Sequence, residues 1–256
     1  MLLQETHEEL FHEAEKKYKK QNIITNEDYD LSMDSFILKL YNSCDSTARG
    51  KHFMNKVLQD NRSKLGDEFG FYSIKDNANI GDAVITYPKM TIRWEVHWLD
   101  PRHVFCRHLD YSTQVSKSYI ETKMSYLNKS DGYSIKHIRP YQDFNYYLLC
   151  FIDCNDKFKA NYFMVKKEII TANNEISLSI MNGTKKVNEK NGNKIYSATI
   201  KKNSIAYNLL LHNNLLSGTN YSHLSEFIIK EGEVLKEHFN TNVPLKGNVP
   251  LKLNAA

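Results

Sequence analysis

Apolar and polar residues follow two periods along this chain. From Met90 to Trp98 they alternate: Ile92, Trp94, Val96 and Trp98 on one side, Thr91, Arg93, Glu95 and His97 on the other. That period of two predicts a half-exposed strand. Ser118 to Ser125 alternates as well, so Tyr119, Glu121, Lys123 and Ser125 share one face, and Ile120, Thr122 and Met124 share the other, mostly apolar, face. Tyr147 to Asp153 is nearly continuously apolar, as expected of a strand covered on both faces. Its expected neighbour is Tyr162 to Val165, across the turn Asn155-Asp156-Lys157. The turn signal Asn77 to Asp82 precedes a short strand, Ala83-Val84-Ile85. Asp100-Pro101-Arg102 turns the chain into a strand starting at Val104, which makes 90–106 an inserted hairpin. Asn191-Gly192 leads into a strand from Lys194 to Ile200.

Helical spacing appears elsewhere. Glu5 to Lys20 carries a thin apolar stripe of Leu10, Phe11, Ala14 and Tyr18. Ser32 or Asp34 caps a second helix through Phe36, Leu38, Leu40 and Tyr41, and Ser46 or Thr47 caps a third through Phe53, Met54, Val57 and Leu58. Leu209 to Leu216 and Leu224 to Phe239 read as two more, the last with Phe227, Ile228, Leu235 and Phe239 on a face suited to a core or a dimer surface. From residue 240 the tail repeats Asn-Val-Pro-Leu-Lys, which suggests a loosely ordered end. The expected organisation is a single α/β domain over 1–239, with its core at about 46–170 and a tail over 240–256.

Composition narrows the function. The chain has 256 residues and a net charge of +4, which permits a basic groove without demanding one. No apolar run follows Met1 and no window reaches the ~20 apolar residues of a membrane span, so the cytoplasm is the expected location. Cys44, Cys106, Cys150 and Cys154 lack zinc-site spacing and read as buried free thiols, with Cys150 and Cys154 on one strand face. His97, His103 and His108 are spread over two strands and a turn, the pattern of ordinary polar positions. There is no nucleophile elbow and no Gly-rich phosphate loop, which argues against a serine or cysteine hydrolase and against a nucleotide-binding enzyme.

One pair of residues needs a chemical reason. Glu121 and Lys123 lie side by side on a half-buried strand, where charges are costly to desolvate. A hard metal ion and a phosphate supply that reason, the carboxylate binding the cation and the ammonium facing the anion or a water. An upstream acid completes the set. Asp82 sits at a strand edge after Gly81, while Asp110 is nearer in sequence and is the alternative.

The order Asp82, then Glu121-Thr122-Lys123, resembles the PD-(D/E)xK nuclease superfamily. The continuation Ile138-Arg139-Pro140-Tyr141-Gln142, the aromatic apolar strand and Tyr162 to Lys167 resemble type II restriction endonucleases within it. Ser46, Arg49, Gly50 and Lys51 resemble the start of the helix that precedes the catalytic sheet in that group. The helix centre Met54-Asn55-Lys56 departs from the group, since the only nearby acid is Asp60. Gln142 and Tyr146 fit a Gln-x-x-x-Tyr spacing on a helix after the Glu-x-Lys strand, with Gln142 and Arg139 as accessory residues. Gly183-Thr184-Lys185-Lys186 reads as a basic turn and resembles a segment of the same group.

The resemblance implies a restriction-endonuclease-like core: a central mixed β-sheet flanked by helices, with an inserted β-hairpin and a helical C-terminal part. It implies Mg²⁺ held by Asp82, Glu121 and the main-chain carbonyl of Thr122, with Lys123 completing the catalytic set. It also implies cleavage of double-stranded DNA to 5′-phosphate ends by a homodimer in a bacterial cytoplasm. Thr184, Lys185, Lys186, Arg93 and Arg102 are the expected DNA contacts. Two other readings share these residues. One is a repair or junction-resolving nuclease with the same core. The other is a non-catalytic DNA-binding domain in which Glu121 and Lys123 are a surface strand pair.

Overall fold

A mixed sheet of five strands carries the molecule, in the order β1-β2-β5-β7-β8. The computed structural model describes residues 24–74, 80–99, 105–114, 116–173, 175–177, 184–190 and 193–241. Strands β1 (Gly70–Ser73), β2 (Ala83–Thr86) and β5 (Lys117–Tyr126) form an antiparallel set. β5 then runs parallel to β7 (Tyr146–Asp153), and β8 (Lys159–Lys166) returns antiparallel to β7. A parallel neighbour requires a crossover. Here the crossover contains β6 (Gly132–Ile138), which leaves the sheet to pair with β12 (Asn193–Lys201), itself paired with β11 (Thr184–Lys190).

The central strand explains the layering. Every residue of β7 is buried. Leu148, Cys150 and Ile152 enter one apolar cluster with Phe36, Ile37 and Leu40 of α1 (Met33–Ser43), Phe53 and Val57 of α2 (Ser46–Arg62), and Leu224, Phe227 and Ile228 of α5 (Leu224–Thr241). Tyr147, Leu149 and Phe151 enter a second cluster with Tyr133 and Ile135 of β6, Ala198 and Ile200 of β12, and Leu210 of α4 (Ile205–His212). A short helical turn, α3 (Lys167–Ile170), follows β8 and leads into a two-stranded pair, β9 (Thr171–Ala172) with β10 (Glu175–Ile176). The apolar face of α5 at Phe227 and Ile228 therefore belongs to the core. The expected hairpin forms as β3 (Met90–Leu99) with β4 (Phe105–Gln114).

Several expectations change. Ser32 caps α1 by accepting from the Ser35 amide, as one of the two expected caps. The cap of α2 is Asp45, whose carboxylate accepts from the Ala48 amide at 2.8 Å, and not Ser46 or Thr47. Leu215 and Leu216 lie beyond α4, which ends at His212. Cys154 falls in the turn after β7 and so shares no strand face with Cys150; both are free, as is Cys44. Thr184, Lys185 and Lys186 are strand residues at the edge of the second sheet, in register with Ala198, Ser197 and Tyr196, and not a turn.

Residues 139–145 are loop, and Tyr146 opens β7, so Gln142 and Tyr146 do not share a helix. Pro140 holds the preceding Arg139 away from helical backbone and brings no N–H. Asn145 instead bonds the start of β5 through its amide to the Tyr119 carbonyl at 2.9 Å, and its side chain accepts from the Tyr119 amide at 2.7 Å. The expected helix at 5–20, Arg102 and most of the tail, 242–256, lie outside the described residues.

Phe151 ties the two layers together. Its ring stacks on Tyr133 at 4.5 Å and meets Phe163 at 5.4 Å. Phe151→Ala should therefore cost about 3–5 kcal/mol in urea unfolding. A loss below about 1 kcal/mol would mean that this layer contact is not a structural tie.

Candidate functional site

Asp82 is placed by backbone contacts on both sides. Its amide donates to the Ile120 carbonyl at 2.7 Å, and its carbonyl accepts from the Ile74 amide at 2.8 Å. Its carboxylate accepts from the Thr122 amide at 2.8 Å, beyond the first rung of the β2–β5 ladder. The acid thus lies against β5 between Glu121 and Lys123. One Asp82 oxygen, Oδ2, takes the amide, and the side chain remains exposed.

Gly81 makes this approach possible. Its φ is +97°, and a Cβ there would lie 2.5 Å from the Ile120 carbonyl oxygen. A side chain would have to displace the backbone that holds Asp82.

Glu121 is only 5% exposed and forms an ion pair with Lys123, Oε1 to Nζ at 2.6 Å. Burial pushes the Glu121 carboxyl above its ordinary range. The Lys123 charge and hydrogen bond oppose that shift, the Asp82 charge adds to it, and the Arg139 charge opposes it. Lys123 Nζ also lies 3.5 Å from the His137 carbonyl. Three side chains named from the sequence, Asp82, Glu121 and Lys123, are thus brought together around the Thr122 main chain.

The alternative acid, Asp110, is in register with Trp94 in the β3–β4 ladder. That hairpin leaves the sheet where the Tyr87 amide bonds the Ser116 carbonyl, at the end of β2 away from Asp82. Arg93 is on the same hairpin, opposite Tyr111. Gln142 is buried in the crossover loop, where its carbonyl accepts from the Lys167 ammonium. Arg139 and Asp143 form no ion pair among the described residues. From α2 the contact with this stretch is a thioether: Met54 Sδ accepts from the Thr122 hydroxyl at 3.1 Å, where an acid at the helix centre is absent.

Two residues of the site carry roles that the sequence does not assign. Gly81 marks the strand edge in the sequence, and its close approach to β5 is visible only in the fold. His137 has φ +54° and sits in a bulge of β6. Its signal in the sequence is the spacing of Ile135 and Ile138, both buried although three apart, which breaks the period of two.

Among the described residues no group of three or more His, Cys, Asp or Glu side chains is gathered for a metal. The site offers two carboxylates, main-chain oxygen and an ammonium. Gly81→Ala should destabilise the protein by about 1–3 kcal/mol through strained backbone alone, measured by urea unfolding. Exchange of the Thr122 amide should accelerate in the same variant, because its acceptor on Asp82 is displaced. An unchanged midpoint and exchange rate would remove Gly81 from the site. Comparison with protein-family models, curated proteins and solved structures finds no match to this chain, so a functional reading rests on the geometry above.

Proposed function

We propose that the chain is a Mg²⁺-dependent endonuclease that hydrolyses double-stranded DNA, a type II restriction endonuclease with a PD-(D/E)xK core. The observation that carries this reading is the Asp82 carboxylate hydrogen-bonded to the β5 main chain between Glu121 and Lys123. The sheet supports it too, with a helix, α2, before an antiparallel set and a parallel strand beyond Glu121. The departure, β6 and a loop where the group carries a helix, affects the crossover and leaves the Asp82, Glu121 and Lys123 positions intact.

The donors suit a hard cation. Asp82 and Glu121 offer carboxylate oxygen. The Thr122 carbonyl leaves β5 on the same side as its amide, which is the Asp82 side. Mg²⁺ keeps several waters and needs only one or two carboxylates, so Asp82, Glu121 and the Thr122 carbonyl would hold it. Bound there, it would polarise the scissile phosphate and acidify a water. Lys123 is aimed by Glu121 and the His137 carbonyl, and orients the attacking water or a phosphate oxygen. Water adds to phosphorus, the bond to the 3′ oxygen breaks, the proton ends on that oxygen, and the 5′-phosphate is released. A homodimer cutting both strands of a palindrome in a bacterial cytoplasm completes the reading. No described helix is long and apolar enough to cross a membrane. The inserted hairpin and the second sheet favour a reader of sequence over a minimal junction nuclease.

Long unmethylated DNA should yield discrete fragments with Mg²⁺ and none with EDTA. Glu121→Ala and Lys123→Ala should each lower the cleavage rate by at least about 10²-fold. A smear would move the enzyme to the repair class. Binding without cleavage in wild type and variants alike would leave a DNA-binding domain.

The raised Glu121 pKa gives a second expectation. The carboxyl must lose its proton to bind a cation, so metal affinity rises as pH climbs through that pKa. Lys123 lowers the pKa, so Lys123→Met should move the acid limb of Mn²⁺ binding to higher pH. Titration calorimetry from about pH 5 to pH 8 reads this directly. A limb that stays in place or moves to lower pH would separate Glu121 from the metal.

A further inference from the structure

The bulge on β6 is the most irregular feature near the candidate site. Ile138 pairs with Tyr196 and Ile135 with Ala198, so Lys136 and His137 together oppose Ser197 alone. His137 absorbs the extra residue with left-handed backbone, φ +54°, uncommon for a residue other than glycine. Two consequences follow. Lys136 and His137 are both exposed, although neighbours on a regular strand point to opposite faces. The His137 carbonyl lies 3.5 Å from Lys123 Nζ, beside Glu121. Bulges re-aim side chains in this way next to active sites.

The aimed groups are basic. Partial burial, then the charges of Lys123, Arg139 and Lys136, push the His137 imidazole below its ordinary range. Lys136 and Arg139 have no carboxylate within ion-pair distance among the described residues, while Lys123 is held by Glu121. A bulge that exposes a lysine and an imidazole, followed by a half-buried arginine at the start of the loop, next to the proposed cleavage centre, suits an anion that continues from that centre. In DNA this is the adjoining backbone phosphate.

We propose that the β6 bulge forms a second phosphate-binding position, in which Lys136, His137 and Arg139 hold the DNA phosphate next to the one that is cut. This rests on the reading of the chain as a DNA-cleaving protein and adds the contact that sets the strand's position. Lys136 supplies charge, Arg139 a two-pronged donor, and His137 a donor fixed by its backbone. The imidazole does not take part in bond breaking; it is a positioning residue.

The test is binding of a short duplex in EDTA, followed by fluorescence anisotropy over a salt series. Lys136→Ala should weaken binding about tenfold and lower the slope of log affinity against log salt by about 1. His137→Gly accommodates the left-handed backbone and removes the imidazole with its Cβ, so it should weaken binding several-fold while the protein stays folded. The matched control is Lys202→Ala. Lys202 binds Asp153 at 3.1 Å, at the end of β7 away from the rung that Tyr147 shares with Glu121, and its loss should leave the slope as in wild type. Unchanged slopes for Lys136→Ala, with Mg²⁺-dependent cleavage intact, would overturn the phosphate position and leave the nuclease reading standing. An equal slope loss in Lys202→Ala would overturn it as well. A specific slope loss in a protein that does not cut DNA would keep a phosphate contact at the bulge and overturn both its place beside a cut phosphate and the nuclease reading.

Discussion

The ion pair between Glu121 and Lys123 is the constraint around which the rest is arranged. A carboxylate 5% exposed in the middle of a sheet is unfavourable, and burial raises its pKa despite an ammonium at 2.6 Å. Asp82 makes matters worse, since its charge raises Glu121 further. A pair of this kind contributes little to stability, because desolvation offsets most of the attraction. The sheet nevertheless builds it with care. Gly81 opens the space, the Thr122 amide takes one oxygen of Asp82, and the bulge on β6 brings the His137 carbonyl to Lys123. Unfavourable charge held this tightly makes sense when a dication relieves both carboxylates at once, and that is the physical core of the nuclease reading.

Much of this could be read along the chain. The alternation of β5 and the continuous burial of β7 follow directly from side-chain periods of two and from a strand sandwiched between layers. Asp82 was legible because a Gly-Asp pair before a short apolar run marks where a strand begins. Its partner on β5 was legible because Glu-x-Lys puts both charges on one face.

The crossover was harder. Gln142 and Tyr146 have helical spacing, but spacing alone carries no tertiary information. The Asn145 side chain, which completes the start of β5, decides the path. The cap of α2 was missed by one residue, because Asp45, Ser46 and Thr47 are all competent caps and only backbone geometry selects among them. β11 was read as a turn since Thr184-Lys185-Lys186 has no apolar period of its own. Its strand character comes from pairing with β12. The bulge left a trace in Ile135 and Ile138, but a break in alternation has several causes until the partner strand is known.

The second sheet explains why β6 is a strand in this chain. An amphipathic helix packs on a sheet by itself, whereas a lone crossover strand leaves its own edges unpaired. β12 pairs one edge of β6 and supplies the apolar face that covers Tyr147, Leu149 and Phe151. The layer therefore has a structural purpose independent of any ligand. The bulge does not: it interrupts the β6–β12 ladder, exposes Lys136 and His137 together, and asks a non-glycine residue to adopt left-handed backbone. A strand needed only as cover would run straight past Ser197. The interruption lies where the His137 carbonyl reaches Lys123, and that coincidence is what the proposed phosphate position builds on.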